Sequence, residues 1–256
     1  MNSFETFVQL HRNSVPFLLG NIWDVNSAKV FEANGYKAIG ISSQAAANSF
    51  GYEDGEQLPF EILLQLAKRV VEVVQIPFSV DMEGGYSRTI TGITENISKL
   101  HDAGVVGINL EDTVAGLSRQ QQSVAEFSKI LSGVSDYISR NKLKMFLNVR
   151  TDGFLLGLSD ALTETLLRIE SYENAGADGI FVPCITRETD ITAVVNATKL
   201  PVNVMCMPEL PGFEELGAIG VKRISMGGFL FNKLYRDAGK LSATILHDQN
   251  FSSIFS

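Results

Sequence analysis

Cysteine is scarce in this chain. Cys184 and Cys206 are the two present, and no metal-type spacing relates them. A disulfide framework is therefore excluded as a means of stabilisation. Histidine is scarce too, with His11, His101 and His247 the three residues of that type. Two lie near the termini and His101 precedes an Ala-Gly corner, so none is placed as a general acid or base. No apolar run approaches the roughly 20 residues that span a bilayer. The opening stretch, MNSFETFVQLHRN, has neither the basic n-region nor the apolar h-region of a signal peptide. Basic residues are in the minority, 21 Lys+Arg against 29 Asp+Glu, for a net charge of −8. That deficit argues against nucleic acid as a main partner and against attraction to an anionic membrane surface. The expectation is a soluble, cytoplasmic protein.

What is present is a repeating corner. A helical pattern ends at a glycine, and an apolar β-type run follows within a few residues. Asn34-Gly35 leads into Ala38–Ile41, Ala103-Gly104 into Val105–Leu110, Ala175-Gly176 into Gly179–Val182, and Ile219-Gly220 into Arg223–Met226. Pro16, Pro77 and Pro201 stand just before further short runs, where a missing N–H is tolerated. With the run Lys144–Val149, about eight strands emerge, near 16–20, 38–42, 77–81, 105–110, 144–149, 178–182, 201–205 and 222–226. The runs read as near-continuous apolar segments, as parallel strands buried on both faces should. Helical patterns such as Phe60–Val74, Ser123–Ser139 and Asp160–Asn174 fill the gaps. Eight such units on 256 residues predict a single-domain (β/α)8 barrel, a TIM barrel. A doubly wound sheet is the alternative, weakened because no G-x-G-x-x-G follows the first strand.

In a barrel, chemistry collects at the C-terminal ends of the strands. Those ends bring Asp81, Glu83, Glu111, Asp112 and Asp152 to one mouth. Like charges that close are costly unless protonated or neutralised. Carboxylates without clustered His or Cys favour Mg²⁺, with Mn²⁺ also suitable, and Asp81, Glu83 and Glu111 are the candidate metal residues. Asp112 and Asp152 read equally as solvated loop residues or helix caps. Arg150 ends the fifth strand and suits a substrate carboxylate; the alternative is a structural ion pair to Asp152 or Glu111. Ser42 and Ser43 end the second strand and offer hydroxyls and backbone N–H groups, or ordinary turn chemistry. Trp23, at the end of the first strand, and Asn203, in the seventh, complete the candidate substrate contacts. Gly227-Gly228 suits a phosphate or a plain tight turn. Cys184 reaches the mouth and reads as a packed small residue more readily than a nucleophile.

No lysine ends a strand, since Lys37, Lys144 and Lys222 precede theirs. A Schiff-base mechanism therefore lacks its nucleophile. The set points to a small 2-oxo acid chelated to Mg²⁺, with the metal as Lewis acid on the carbonyl oxygen, and to cleavage of a C–C or C–P bond beside that carbonyl. Asp54, in the loop after the second strand, is the candidate proton donor or acceptor.

Four stretches together resemble the isocitrate lyase / phosphoenolpyruvate mutase superfamily, and its short, bacterial PEP mutase-like subgroup in particular. They are SSQAAANSFGYED at 42–54, DMEGGYS at 81–87, GINLED at 107–112 and NVRTD at 148–152. Their order and spacing fit from about Gly20 to Gly227. The resemblance implies Mg²⁺ held largely through waters near Asp81, Glu83 and Glu111. It implies oxo-acid contacts at Arg150 and the Ser42-Ser43 turn, with Asp54 matching an active-site aspartate. It also implies a homodimer or homotetramer in which the last helix is exchanged. Isocitrate and methylisocitrate lyases carry Lys-Cys-Gly-His in the gating loop after strand four. The corresponding stretch here, Thr113–Gln122 (TVAGLSRQQQ), has no Lys, Cys or His. The mutase's gating-loop Asn has no clear counterpart, and Pro183 stands where its strand-six His would be. Arg119 is left as a candidate for the gate. The leading expectation is a Mg²⁺-dependent carbon–carbon lyase acting on a small 2-oxo or 2-hydroxy carboxylate through a metal-stabilised enolate. The alternatives are a phosphonopyruvate hydrolase or mutase-like C–P enzyme, and a non-catalytic barrel that binds oxo acids.

Overall fold

The computed structural model describes residues 2–114 and 119–255. The order of elements is α1 (Ser3–Arg12), β1 (Phe17–Leu18), β2 (Gly20–Ile22), α2 (Val25–Ala33), β3 (Ile39–Ile41), α3 (Ser43–Ser49), α4 (Phe60–Val71), β4 (Phe78–Asp81), α5 (Ile90–Asp102) and β5 (Gly107–Glu111). A short antiparallel pair follows, β6 (Thr113–Val114) and β7 (Gln120–Gln121). Then come α6 (Val124–Arg140), β8 (Phe146–Arg150), α7 (Ala161–Asn174), β9 (Gly179–Val182), α8 (Glu188–Asn196), β10 (Val202–Met205), α9 (Phe213–Ile219), β11 (Arg223–Ser225) and α10 (Phe229–Asp248).

All pairings in the main sheet are parallel, in the order β1-β11-β10-β9-β8-β5-β4-β3-β2. β1 and β2 are two pieces of one stave. The first pairs with β11 and the second with β3, which closes the ring into the (β/α)8 barrel expected from the spacing. The four glycine corners appear where the sequence puts them. Gly35, Gly104, Gly176 and Gly220 have φ of 84°, 97°, 96° and 108°, the left-handed turn that ends a helix before a strand.

One expectation is corrected. The strands are not apolar on both faces; they alternate. Ile108 and Leu110, Leu147 and Val149, Ile180 and Val182, and Val202 and Val204 join the large core that includes Phe127, Ile169 and Leu216 of the helices. The other face carries polar groups into the barrel. Asn148 Nδ2 donates to Asn109 Oδ1 at 2.9 Å and to Asn203 Oδ1 at 3.3 Å, across staves that are not all neighbours. Arg223 Nη2 donates to Asn109 Oδ1 at 3.3 Å. The apolar core therefore lies between sheet and helices, while a hydrogen-bonded layer fills the barrel.

Helix α1 closes the N-terminal end. Asn2 and Glu5 form a reciprocal capping box at its start. Its buried face presents Phe7 and His11 to Phe17 and Phe146, and Gly107 admits the Phe7 ring where a Cβ would stand 2.5 Å from it. His11 stacks on Phe146 with ring centroids 4.1 Å apart. Its Nδ1 lies 2.8 Å from the Phe7 carbonyl, which accepts, so Nδ1 carries the proton of the neutral ring. Burial, then the Arg223 charge, lowers the His11 pKa from 6.5 to about 3. The unfolded chain thus binds this proton first, and the stability that neutral His11 provides is lost as pH falls from about 6.5 toward 3. Between pH 7 and pH 5 this amounts to about 2 kcal/mol. His11→Phe should keep the ring packing and lose that much less stability over the interval, as read by chemical denaturation at the two pH values. Equal losses in both proteins would contradict the assignment.

Candidate active site

The sequence alternation that turns polar groups inward also sets the mouth. Asp81, Glu111 and Arg150 each close a strand, and the parallel register places Glu111 opposite Arg150. Arg150 Nη1 lies 2.8 Å from Glu111 Oε2 and 3.8 Å from Asp81 Oδ2. The same guanidinium donates from Nε to Asp152 Oδ1 at 2.6 Å and from Nη2 to Asp152 Oδ2 at 3.0 Å, a bidentate pair. Burial alone would lower the Arg150 pKa, but Glu111, Asp152 and Asp81 reverse this and hold it charged. The fork expected to face a substrate is thus turned to Asp152, although Arg150 still lines the cavity.

Asp81 is tied on one side only. Ser43 donates from Oγ to Asp81 Oδ2 at 3.0 Å, whereas the buried Oδ1 has no hydrogen-bond partner among the described residues. Glu83 sits in the left-handed region at φ 50° and accepts the Glu56 N–H on both carboxylate oxygens at 3.0 Å. Burial, reinforced by Asp54, Glu111 and Asp81, pushes its carboxyl up to about 8. Burial also raises Glu111, with Arg150 opposing it. Thr113 Oγ1 lies 2.6 Å from Glu111 Oε1 and 2.8 Å from Asp152 Oδ2. One hydroxyl proton serves one of these oxygens, so the crowding is relieved by a proton or a cation.

Arg119 reaches in from the loop after β5. Its Nη2 lies 3.0 Å from Asp54 Oδ2, and its Nη1 lies 3.3 Å from Glu111 Oε1 and 3.4 Å from Asp152 Oδ2. Burial raises the Asp54 carboxyl, with Arg119 pulling the other way. Of the expected gate, Thr113–Gln122, residues 115–118 lie outside the described residues.

Asp112 faces away from this mouth. Its Oδ2 accepts from Tyr172 at 2.8 Å, Gln121 at 3.0 Å and Arg168 at 3.2 Å, and its Oδ1 accepts the Asp152 N–H at 3.2 Å. It fastens β5 to α7 and to the backbone of Asp152.

A cavity of about 250 Å³ opens between these groups. Asp54, Asp81, Arg150, Ser42 and Ser43 line it, joined by Asn21, Gln44, Asn109, Ser225 and the Gly227-Gly228 turn. Ser42 also caps α3, accepting the Ala45 N–H at 3.4 Å. Leu155, Phe181, Pro183, Cys184, Met205, Met207 and Phe229 form the apolar part of the wall. Trp23 and Asn203 are not among the lining residues. Trp23 packs edge-on against Phe231 at 5.4 Å, and Asn203 is buried in the barrel, donating to the Val204 and Arg223 carbonyls at 2.8 and 3.1 Å. Asn109 escapes a reading confined to strand ends, and Ser225, the last residue of β11, escapes it because the apolar run reads on to Met226. The alternation in GINLE was the available signal for Asn109, because it turns that residue inward two positions before Glu111.

Asp112→Ala should leave Arg168, 7% exposed at its side chain, without its buried carboxylate. Loss of one partner from a buried pair costs about 3–5 kcal/mol. Denaturant titration should show a loss of that order, and a change below about 1 kcal/mol would mean that the Gln122 carbonyl, Tyr172 and Glu164 suffice for Arg168 without Asp112.

The chain is similar to known proteins over most of its length. The family profile for phosphoenolpyruvate phosphomutase matches residues 7–246. An uncharacterized protein of Mycobacterium tuberculosis (strain H37Rv) is 33% identical over 222 residues, covering 87% of this chain and 81% of its own. An oxaloacetate decarboxylase of Bradyrhizobium sp. (strain BTAi1) is 27% identical, covering 80% of this chain and 70% of its own. A solved structure from Burkholderia cenocepacia J2315 is 33% identical with a TM-score of 0.89, covering 94% of this chain and 99% of that one. A phosphonopyruvate hydrolase solved with oxalate and Mg²⁺ shares the fold at a TM-score of 0.85 and 19% identity, covering 98% and 89% of the two chains. The chain belongs to the phosphoenolpyruvate phosphomutase family.

Proposed function

We propose that this protein is a Mg²⁺-dependent lyase that cleaves a carbon–carbon bond of a small 2-oxo or 2-hydroxy carboxylate, giving an enolate product. The observation that carries the reading is Asp81. Its Oδ1 is buried without a hydrogen-bond partner, at the edge of a cavity that Arg150 and Ser43 share. The donor set is all carboxylate oxygen, which suits Mg²⁺ and accepts Mn²⁺. Among the described residues no three His, Cys, Asp or Glu side chains form a ready-made cage. Asp81 would hold the ion, with Glu83 and Glu111 the nearby carboxylates that would serve its waters. When bound, the cation supplies Lewis acidity toward the substrate's carbonyl oxygen.

The chain's own groups supply the rest. Arg150 presents fixed positive charge to the carboxylate of the oxo acid, and its pairing to Asp152 removes the entropy of placing it. The Ser42-Ser43 turn lies against the same cavity, and Ser42, whose oxygen accepts the Ala45 N–H, offers its hydroxyl proton to that carboxylate, while Ser43 donates to Asp81. Asp54, whose carboxyl burial raises and which lines the cavity, is the group placed to exchange a proton with the enolate that cleavage leaves. The oxaloacetate decarboxylase relative and the oxalate-bound neighbour support a small oxo acid as the ligand. Cleavage of a C–P bond is the second reading, carried by the phosphonopyruvate hydrolase fold neighbour. The two free cysteines fit a reducing, cytoplasmic compartment, and among the described residues no helix is long and apolar enough to cross a membrane.

We also propose a homo-oligomer, a dimer or tetramer. Of the 20 residues of α10, Phe231 is the buried one. Leu234, Tyr235, Leu246 and, beyond the helix, Phe251 and Phe255 are exposed at 53%, 55%, 80%, 65% and 85%. A second copy would cover this face, and exchange of the helix is the simplest arrangement. Light scattering after gel filtration should give two or four chains, and Leu234→Glu should shift the mass toward one; a wild-type monomer contradicts the reading.

Turnover of oxaloacetate, substituted malates and phosphonopyruvate, followed with added Mg²⁺ and with EDTA, separates the chemistries. Release of pyruvate or a similar product from a malate or oxaloacetate supports carbon–carbon cleavage. Release of phosphate from phosphonopyruvate alone supports the second reading, and oxalate binding without any turnover supports a binding barrel. Asp81→Ala should abolish the Mg²⁺-dependent activity. Arg150→Lys should weaken oxo-acid binding by roughly tenfold or more, because an ammonium cannot keep the fork to Asp152. A fully active Asp81→Ala protein would overturn the metal assignment.

A further inference from the structure

The floor of the cavity carries a group that the strand-end chemistry does not use. Asn109 lies in register between Asp81 on β4 and Asn148 on β8, one inward step below Glu111. It lines the cavity, and its side-chain oxygen is doubly engaged. Asn148 Nδ2 donates to that oxygen at 2.9 Å and Arg223 Nη2 donates at 3.3 Å. These two donors fix the amide in one orientation, oxygen toward Asn148 and Arg223 and NH2 away from them. Among the described residues that NH2 donates to no acceptor, and it is not one of the buried orphaned atoms. It is therefore a donor open to the cavity.

Arg223 makes this donor unusual. It is 1% exposed, and no carboxylate among the described residues pairs with it within ion-pair distance. Its Nε and Nη1 have no hydrogen-bond partner. Its charge is felt by His11 and Asp81, but its one side-chain hydrogen-bond acceptor among the described residues is the Asn109 oxygen. A cation bound at the oxygen of an amide polarises it and strengthens its N–H as a donor. The floor thus offers a pre-oriented, polarised N–H with no protein acceptor, which is the requirement for stabilising an oxygen that bears negative charge.

We propose that Asn109 is a further substrate-contacting residue, whose side-chain N–H donates to an oxygen of the bound oxo acid, held in place by Arg223 and Asn148. The inference rests on the oxo-acid reading above. It adds a contact from the cavity floor to those from the rim, and it selects ligands whose inner oxygen only accepts hydrogen bonds.

Oxalate in the presence of Mg²⁺ is the probe, with affinity read by calorimetry and folding by thermal melting. Asn109→Asp keeps an acceptor for Arg223 and Asn148 and removes the N–H. Asn109→Ala removes the N–H without adding charge. Both should bind oxalate roughly tenfold to a hundredfold more weakly than wild type, and Asn109→Asp should melt at or above the wild-type temperature. Oxalate affinity within twofold of wild type in either variant overturns the inference while leaving the oxo-acid reading intact. In the first case Asn109 serves only to seat Arg223, and in the second the loss in Asn109→Asp is charge repulsion. A wild-type protein that binds no oxalate overturns the oxo-acid reading and the inference with it.

Discussion

The ion pairs of Arg150 are what allow this mouth to exist. Asp81, Glu111 and Asp152 converge on one guanidinium, and Arg119 adds a second positive charge among Asp54, Glu111 and Asp152. Without these cations the carboxylates would repel one another in a poorly solvated space. With them the balance is still incomplete, as the raised carboxyls of Glu83, Glu111 and Asp54 show. The proposed cation would relieve this imbalance beside the unpartnered oxygen of Asp81.

The barrel interior serves the same end. Most barrels fill this space with branched apolar side chains. Here Asn109, Asn148, Asn203 and Arg223 fill it, joined by hydrogen bonds that cross from stave to stave. The hydrogen bonds among them offset part of the cost of burying so many polar groups, although Asn148 Oδ1 and the Nε and Nη1 of Arg223 have no partner among the described residues. The layer gives the cavity a rigid, polar floor, while the apolar core between sheet and helices carries the stability of the fold. The N-terminal helix completes the arrangement by sealing the far end with an aromatic cluster around Phe7 and Phe146.

Much of this was legible in the chain. The glycine corners at Gly35, Gly104, Gly176 and Gly220 and the strand-breaking prolines mark the eight staves, because left-handed φ and a missing N–H are local properties. The rule that chemistry sits at strand ends located Asp81, Glu111 and Arg150. The same rule misplaced Trp23 and Asn203 relative to the cavity. Trp23 follows the strand but turns toward α10, and Asn203 lies too deep in its strand to reach the mouth. It also gave Asp112 and Asp152 the same weight, although one faces α7 and the other faces Arg150.

By itself, then, the sequence determined the number of staves, their direction and which residue types reach the mouth, since each depends on short-range backbone preference and periodicity. Only the tertiary structure decided which of those residues meet. Partners such as Asn109 and Arg223, or Arg150 and Asp81, are separated by long stretches of chain, and only ring closure brings them into contact. Whether a carboxylate is bound by a guanidinium, fastened to a helix or left with an open oxygen depends on such contacts. Local sequence sets the type of charge at a position, and the closed barrel sets what neutralises it.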